Sequence, residues 1–125
     1  MDKFLINHSD CSINNSENHE MCPMVLVHKL LSGKWKILIL WYLCKGPLRF
    51  SDLKRNLPNV TQKMLTNQLR SLEEDNLIYR KIYPVIPPKV EYGLTDVGLK
   101  ILPLLESMHD YGEEYIKEMI LQSKN

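Results

Sequence analysis

The sequence lacks any hydrophobic run long enough to cross a membrane. Its longest apolar stretch, residues 37–44, is far shorter than the ~20 residues that a spanning helix needs. The short apolar group at positions 4–6 is followed at once by polar residues at positions 7–10, which is not the pattern of a secretory signal peptide. These absences predict a cytoplasmic protein without a membrane partner.

Cysteine is scarce, and the motifs of common enzyme sites are missing. The three cysteines, Cys11, Cys22 and Cys44, are an odd number at irregular spacing, which favours reduced thiols over a disulfide framework. The chain has no C-x-x-C pair, H-E-x-x-H motif, glycine-rich phosphate loop or nucleophile elbow, so we do not expect an enzyme. Four potential zinc ligands have a spacing unlike that of any familiar site: His8, Cys11, His19 and Cys22. We therefore predict no metal site.

Charge is nearly balanced overall but unevenly distributed along the chain. The formal net charge is +1, yet residues 29–89 hold twelve bases and four acids, a net of +8, between two acidic segments. A basic middle segment is typical of a surface that faces a polyanion. The length of 125 residues and the hydrophobic fraction of 44% indicate one globular domain, which we expect at residues 21–123. Residues 1–20 are polar and aperiodic, which predicts a flexible arm.

Residues 60–76 are predicted to form an amphipathic helix. Thr61 is suited to cap its start and Asn76 to end it, because a Thr hydroxyl accepts a first-turn amide and Asn tolerates a left-handed backbone. The apolar face carries leucines at helical spacing: Leu65, Leu69 and Leu72. The opposite face carries hydroxyl, amide and cationic groups: Lys63, Thr66, Asn67 and Arg70. Such groups match base edges in the DNA major groove, and from this helix alone an ordinary solvated face is an equally good interpretation.

The segment before this helix completes a helix-turn-helix pattern. Ser51 is predicted to cap a helix over residues 51–57, and Pro58 with Asn59 makes the tight turn into the amphipathic helix. Residues 48–50 precede it as a short extended piece, long enough only for a minor edge strand.

After Asn76 the hydrophobic period changes from that of a helix to that of strands. Residues 77–83 and 89–94 alternate and are separated by a proline-rich loop, which predicts a β-hairpin. A hairpin beside a helix-turn-helix is a wing. Arg80 and Lys89 place cations on it, within reach of phosphates or the minor groove.

The other helices are predicted to form the core and a dimer interface. Helices are expected at residues 22–31 and 34–44, the second apolar nearly all round and therefore central to the core. A last helix spans about residues 96–123, where Pro103 should kink it or split off its first turn. Its narrow apolar seam comprises Ile101, Leu104, Met108, Tyr111 and Tyr115. Little core remains to cover this seam, so we predict a homodimer formed through the terminal helices; the alternative is a helix folded back on its own domain.

Seven short motifs occur in an order and spacing shared with a known family: CP at 22–23, GKW at 33–35 with the following ILIL, GPLRFSDL at 46–53, TQKML at 61–65, LRSLEEDNL at 69–77, PPKVEY at 87–92 and LT at 94–95. With these motifs the chain resembles the HxlR-type transcriptional regulators, within the MarR-like winged-helix group, over about residues 21–115. The resemblance implies a mainly helical, homodimeric, DNA-binding protein without a cofactor, with a recognition helix starting near Thr61 and a wing at residues 83–89. Ser32, Asn76 and Tyr111 depart from the residues usual in the family, and none belongs to the groove-facing set.

In part of this family the cysteine just before the proline senses oxidants or electrophiles, and Cys22 matches that position. A helix N-terminus stabilises a thiolate and so makes a cysteine more reactive. We therefore hypothesise that Cys22 is a redox sensor that pairs with Cys11 or with a thiol of the other subunit. The alternative is an inert small residue at a helix start. Cys44 is expected to be buried and unreactive.

These patterns predict a sequence-specific transcriptional regulator that binds an inverted-repeat operator as a homodimer. Its half-sites would lie about one helical turn, ~10 bp, or a small multiple apart. The side chains assigned to DNA are Arg49, Thr61, Gln62, Lys63, Thr66, Asn67, Arg70, Arg80 and Lys89. The expected partners are double-stranded DNA, a second copy of the chain, and an oxidant or small-molecule effector. The alternative function is a winged-helix module for protein contacts without specific DNA readout.

Overall fold

The computed structural model describes residues 22–123, and the chain divides between Lys34 and Trp35 into two units. The predicted arm at residues 1–20 lies outside the described residues. The first unit contributes helix α1, Pro23–Leu30, with Cys22 as its N-cap and proline in the first turn. Proline suits this position because its missing N–H has no partner to lose there.

The second unit holds the other helices and the strands of the described chain. In order they are α2 Lys36–Leu43, β1 Leu48–Arg49, α3 Phe50–Asn56, α4 Gln62–Glu74, β2 Ile78–Tyr83, β3 Lys89–Leu94, α5 Asp96–Leu99 and α6 Leu102–Ser123. The strands form an antiparallel sheet in the order β1-β3-β2. The predicted winged helix-turn-helix, mainly helical with a small hairpin, is confirmed. No helix within residues 22–123 combines the length and apolar character needed to span a membrane.

The core of the second unit is built from aliphatic side chains of α2, α3, α4 and β2. The fully buried ones are Ile39, Leu40, Leu43, Leu53, Leu57, Leu65, Leu69, Leu72 and Ile78. The predicted apolar face of α4 is therefore confirmed. Helix α2 contributes Ile39, Leu40 and Leu43 to the core, as its apolar sequence predicted, while Leu38 on another side of the helix stays 40% exposed.

Helix α3 begins one residue earlier than the sequence suggested, and the prediction that Ser51 caps it is wrong. Arg49 is the N-cap, because it is already extended as the last residue of β1, where it pairs with Glu91. The Asp52 carboxylate accepts the amide N–H of Arg49 at 3.2 Å and so satisfies a free donor of the helix start. Asn59 then adopts a positive φ of 69° in the turn that leads to α4.

Both predicted ends of α4 are confirmed. Thr61 Oγ1 accepts the Met64 amide at 3.1 Å. At the other end Asn76 has a φ of 59°, and its amide donates to the Glu73 carbonyl while that of Leu77 donates to Leu72, both at 3.0 Å. This is the Schellman pattern, in which a left-handed residue closes the helix and turns the chain sharply. The turn leads directly into β2 and fixes the hairpin beside α4.

Pro103 splits the last predicted helix in two, as expected. Thr95 caps α5, accepting the Gly98 amide at 3.0 Å, and its hydroxyl also donates to the Asn76 carbonyl at 2.7 Å. Helix α6 starts at Leu102, so that Pro103 lies in a first turn, where a missing N–H is harmless. Thr95 follows β3 directly, so its hydrogen bond to Asn76 joins the end of the wing to the end of α4.

Candidate nucleic-acid interface

The polar face of α4 is largely exposed. Gln62, Lys63, Asn67 and Arg70 are exposed and Thr66 is half-buried. The first turn of α4 contains no acidic residue, so the positive end of the helix dipole adds to the cation of Lys63. The described helix therefore presents a surface suited to an anion and to base edges.

Thr61 has a structural role as well as its predicted DNA contact. Its oxygen accepts the amide of Met64, which leaves the hydroxyl hydrogen able to donate. A phosphate oxygen could accept that hydrogen at the helix start. Thr61 is exposed, as this contact requires.

Two polar residues of α4 that the sequence pattern did not assign hold the helix against α2. Gln68 Oε1 accepts the Trp35 amide at 3.4 Å, and Ser71 Oγ accepts a hydrogen bond from Lys36 Nζ at 2.6 Å. The only sequence signal for Gln68 and Ser71 is that they are three residues apart beside the leucine face. Ordinary solvated residues show the same spacing, so the sequence could not identify this role. These bonds fix the rotation of α4 about its own axis and therefore which of its side chains face solvent.

One face of the wing lies against the C-terminal half of α4. Arg80 Nε is 3.9 Å from Glu73 Oε1, and both side chains remain partly exposed. A cleft of about 440 Å³ between the two elements is lined by Arg70, Glu73, Glu74 and Arg80. Burial raises the pKa of the Tyr92 hydroxyl, the Glu73 charge adds to the rise, and the Arg80 charge opposes it. Arg70 and Arg80 thus lie at one polar cleft that joins recognition helix and wing.

The other face of the wing carries a cluster around Tyr83. Lys81 Nζ and Lys89 Nζ lie 4.8 Å and 5.0 Å from the centre of its ring, within cation–π range. Lys89 Nζ is also 2.8 Å from Glu91 Oε1, and the Tyr83 hydroxyl donates to Glu91 Oε2 at 3.3 Å. Sequence reasoning chose Arg80 and Lys89 and did not assign Lys81. Strand alternation places Lys81 on the same face as Tyr83, but it does not show that the two side chains are in contact.

Arg49 lies on the same sheet face, directly across from Glu91 in the register of β1 and β3. The pKa of Glu91 is lowered, chiefly by the hydrogen bond from Lys89, with help from Tyr83 and the charge of Arg49. Lys89 is therefore ion-paired in the free protein. A DNA phosphate must compete with Glu91 to engage it.

The predicted dimer seam on α6 is largely exposed in the described chain. Leu104, Met108, Tyr111 and Tyr115 are exposed, Tyr111 by 69%, and Ile101 is half-buried. Leu105, to one side of the seam, is buried and packs α6 onto its own domain. Next to it an apolar groove of about 210 Å³ is lined by Ile37, Leu38, Trp41, Leu105, Met108 and His109. The helix thus folds back on its domain with one side and leaves the seam open.

The two described cysteines differ in chemical state. Cys22 is disulfide-bonded. Cys44 is a free cysteine that is half-buried rather than fully buried, and burial together with Glu106 raises the pKa of its thiol. A raised pKa reduces the thiolate fraction, which agrees with the expectation that Cys44 is unreactive.

Three ligand-type side chains of α6 lie close together. The ligand atoms of His109, Asp110 and Glu113 lie within 4.8 Å of one another, and all three residues are exposed. His109 Nδ1 is 3.1 Å from Glu113, and its ring stacks on Trp41 with centres 5.4 Å apart. The histidine is explained by packing of α6 on α2, and exposed acids of this kind are common without a metal.

Comparison with known proteins gives the same assignment from sequence and from structure. The HxlR-like helix-turn-helix family model matches residues 30–120. YdeP of Bacillus subtilis (strain 168), named an uncharacterized HTH-type transcriptional regulator, is 43% identical over 101 residues, which are 81% of this chain and 79% of YdeP. The redox regulator HypR in its oxidized form is 40% identical with a TM-score of 0.71, over 74% of this chain and 96% of that one.

A second structural relative is the reduced form of the transcriptional regulator YodB from B. subtilis. It is 32% identical with a TM-score of 0.67, over 77% of this chain and 95% of that one. The resemblance inferred from the sequence motifs is therefore confirmed. The chain belongs to the HxlR-like helix-turn-helix family and is a transcriptional regulator of helix-turn-helix type.

Proposed function

We propose that this regulator binds an inverted-repeat operator as a homodimer, with one α4 in each of two major grooves. The observation that carries the proposal is the exposed polar face of α4, free of acids in its first turn and held in place by a fully buried leucine face. Regulators of this class bind DNA through such a helix. The proposal assigns base readout to this helix and backbone contacts to the elements beside it.

On α4 the division of roles follows side-chain chemistry. Asn67 lies near the middle of the exposed face, where a bidentate amide bond to adenine is possible, and Gln62 offers the same chemistry at the start of the helix. Lys63 and Arg70 supply cations for guanine or phosphate. The methyl group of Thr66 suits a thymine methyl.

Around the helix, four cations are proposed to bind phosphates. Arg49 and Lys89 lie on one face of the sheet and Arg80 on the other, beside Glu73. Lys81 joins this set because it stands on the Tyr83 ring together with Lys89. Contacts of this kind position the protein on DNA without reading its sequence.

The proposed dimer interface is the open seam of α6. Exposed apolar side chains continue along the helix beyond Tyr115, with Ile116, Met119 and Ile120 each about half exposed. A continuous apolar surface of this length on a monomer marks an interaction site. A second copy is the proposed occupant because two identical helices bury the same surface on both sides.

The effector is proposed to be an oxidant acting on Cys22. Its disulfide state in the structure and the names of the relatives HypR and YodB support this. In the proposed reaction a Cys22 thiolate attacks a low-molecular-weight disulfide, releasing one thiol and leaving a mixed disulfide. A second cysteine thiolate, from Cys11 or from the other subunit, then displaces the second thiol. Two protein thiols are oxidised and one small disulfide is reduced to two thiols.

The test is fluorescence-anisotropy titration of labelled DNA from immediately upstream of the gene, beside random DNA of equal length. We expect tight, salt-sensitive and sequence-selective binding by the reduced protein. Adding a small disulfide should change that affinity in the wild type but not in Cys22→Ser. Cys44→Ser is the matched control and should respond like the wild type.

Each outcome decides a different part of the proposal. Selective binding that ignores the oxidant would reject the thiol switch and keep the operator-binding assignment. Binding no tighter than to random DNA would reject this operator, and a selection from random DNA that also yields no preferred sequence would favour a module for protein contacts.

A further inference from the structure

The tip of the wing is apolar and fully open to solvent. The loop between β2 and β3 exposes Ile86 completely, with a relative accessibility of 102%, and leaves Val85 53% exposed. Three prolines, all exposed, flank these residues on both sides: Pro84, Pro87 and Pro88. No packing in the described chain accounts for a large aliphatic side chain at this place.

Prolines on both sides limit the conformations open to the loop. A proline fixes its own φ and restricts the residue before it, so the chain around Ile86 loses little entropy when it is immobilised. Val85 is further held by a 2.8 Å hydrogen bond from its amide to the Tyr83 carbonyl. The loop thus holds the backbone around Ile86 in place before any partner binds, with the side chain exposed to solvent.

Cations lie at the base of the loop that carries this apolar tip. Lys81 and Lys89 stand over the Tyr83 ring, where β2 ends and β3 begins, and Glu91 balances only part of their charge. An exposed apolar loop tip with two ammonium groups at the base of the loop is complementary to a DNA minor groove, whose floor is formed by base edges and whose walls are phosphates. Isoleucine is among the side chains that proteins insert between base steps from this groove.

We propose that Ile86 enters the minor groove flanking each recognition-helix site and wedges against a flexible pyrimidine–purine step, while Lys81 and Lys89 bind phosphates of the adjoining DNA backbone. The inference rests on the proposed DNA-binding function and adds a second mode of sequence preference to it. Pyrimidine–purine steps such as TA unstack easily, so the preference arises from DNA deformability rather than from hydrogen bonds to bases.

The test uses the full-length protein and duplexes that share one pair of half-sites selected from random DNA by the wild type. The outer flanks contain either TA steps or G·C runs. We expect the wild type to bind TA flanks about tenfold more tightly, within the range of one altered base step. Ile86→Ala should lose most of that preference. Ile82→Ala is the matched control, because Ile82 is an exposed isoleucine of the same wing but lies within β2, and it should keep the preference.

A second readout reports the wedge directly. A 2-aminopurine base placed in the TA flank should brighten when the wild type or Ile82→Ala binds, since the probe fluoresces more strongly when unstacked, and it should stay dim with Ile86→Ala. Unchanged unfolding temperatures for both variants would confirm that the fold is intact.

Several outcomes would overturn the inference. If Ile86→Ala keeps the preference for TA flanks, the wedge is excluded. The same holds if this variant weakens binding to every duplex and to random DNA by the same factor. Equal affinity of the wild type for TA and G·C flanks would also exclude the wedge. Selective binding to the half-sites would in that case leave the proposed function intact. If no half-site is ever selected, the proposed function itself has failed.

Discussion

Lys36 Nζ donates a 2.6 Å hydrogen bond to Ser71 Oγ and thereby joins α2 to the recognition helix. The lysine is only 5% exposed, an unusual position for a charged side chain. One turn earlier on α4, Gln68 accepts the Trp35 amide. The orientation of the groove-facing side chains therefore depends on a polar connection as well as on leucine packing.

Replacing Ser71 by alanine should destabilise the protein. The change removes the acceptor of a buried ammonium group, and an unsatisfied buried donor costs about 1–3 kcal/mol. We expect the free energy of unfolding, measured by urea denaturation at fixed protein concentration, to fall by that amount. Ser51→Ala is the control, because Ser51 is exposed and does not cap its helix.

A double-mutant cycle separates this bond from simple loss of packing. Lys36→Met keeps most of the volume and removes the charge, so Lys36→Met with Ser71→Ala should be more stable than Ser71→Ala alone. Additive effects of the two substitutions would show that the hydrogen bond does not contribute.

Asn67→Ala should weaken operator binding by about 1–3 kcal/mol and relax the preference for one base pair, because a bidentate amide contact to adenine would be lost. The measurement is anisotropy titration on the operator and on variants with each base at the contacted position. Asn56→Ala is the control, since Asn56 is an exposed asparagine at the end of α3. Equal losses on operator and random DNA would remove Asn67 from base readout.

Lys89→Ala should act in the opposite manner, weakening all DNA sequences alike. One phosphate contact fewer lowers the dependence of log affinity on log salt concentration by about one. The comparison is the salt slope of the wild type, of Lys89→Ala and of Lys100→Ala, an exposed lysine outside the wing. An unchanged slope in Lys89→Ala would mean that this lysine stays with Glu91 when DNA binds.

The titration of Glu91 offers a check on the wing cluster without DNA. Its pKa lies below the ordinary value of 4.5, chiefly because Lys89 donates a hydrogen bond to it. A depressed carboxyl pKa stabilises the fold above the ordinary pKa, and this contribution is lost as pH falls through the lowered value. We expect NMR of the Glu91 carboxyl carbon to give a midpoint below 4.5 that rises more in Lys89→Ala than in Arg49→Ala. Equal midpoints in the wild type and Lys89→Ala would contradict the ion pair.

Much of this fold follows from local sequence signals. The leucine spacing of α4, the Thr61 cap, the stop at Asn76 and the change to period two all depend on residues close together in the chain, and each was predicted. The error at Ser51 arose because Arg49 is committed to a strand that pairs with Glu91, more than 40 residues away. No local pattern reveals such a partner.

The polar contacts of the interface were harder to predict than its faces. The sequence pattern assigned no role to Lys36, which is buried and donates a hydrogen bond to Ser71 on another element. Lys81 was not assigned because its contact with the Tyr83 ring depends on side-chain packing at the wing. Periodicity assigns a residue to a face, whereas the partner on that face is set by tertiary packing.

Because the seam of α6 is open, we predict that one negative charge introduced into it prevents dimerisation. Tyr115 is 55% exposed near the middle of the helix, and its ring lies 6.5 Å from that of Tyr111. Tyr115→Glu would bury an unpaired carboxylate if a second copy covers the seam, which is too costly for a stable interface. We expect sedimentation equilibrium to show a dimer for the wild type and a monomer for Tyr115→Glu at micromolar concentration.

Lys117→Glu is the control for this prediction, because it adds negative charge to the same helix on the side opposite the seam, where the residue is exposed. It should remain dimeric. Operator affinity should fall steeply in Tyr115→Glu while binding to a single half-site changes little, since only the linkage between two recognition helices is lost. A dimeric Tyr115→Glu would place the subunit contact elsewhere and return α6 to the role of a helix folded on its own domain.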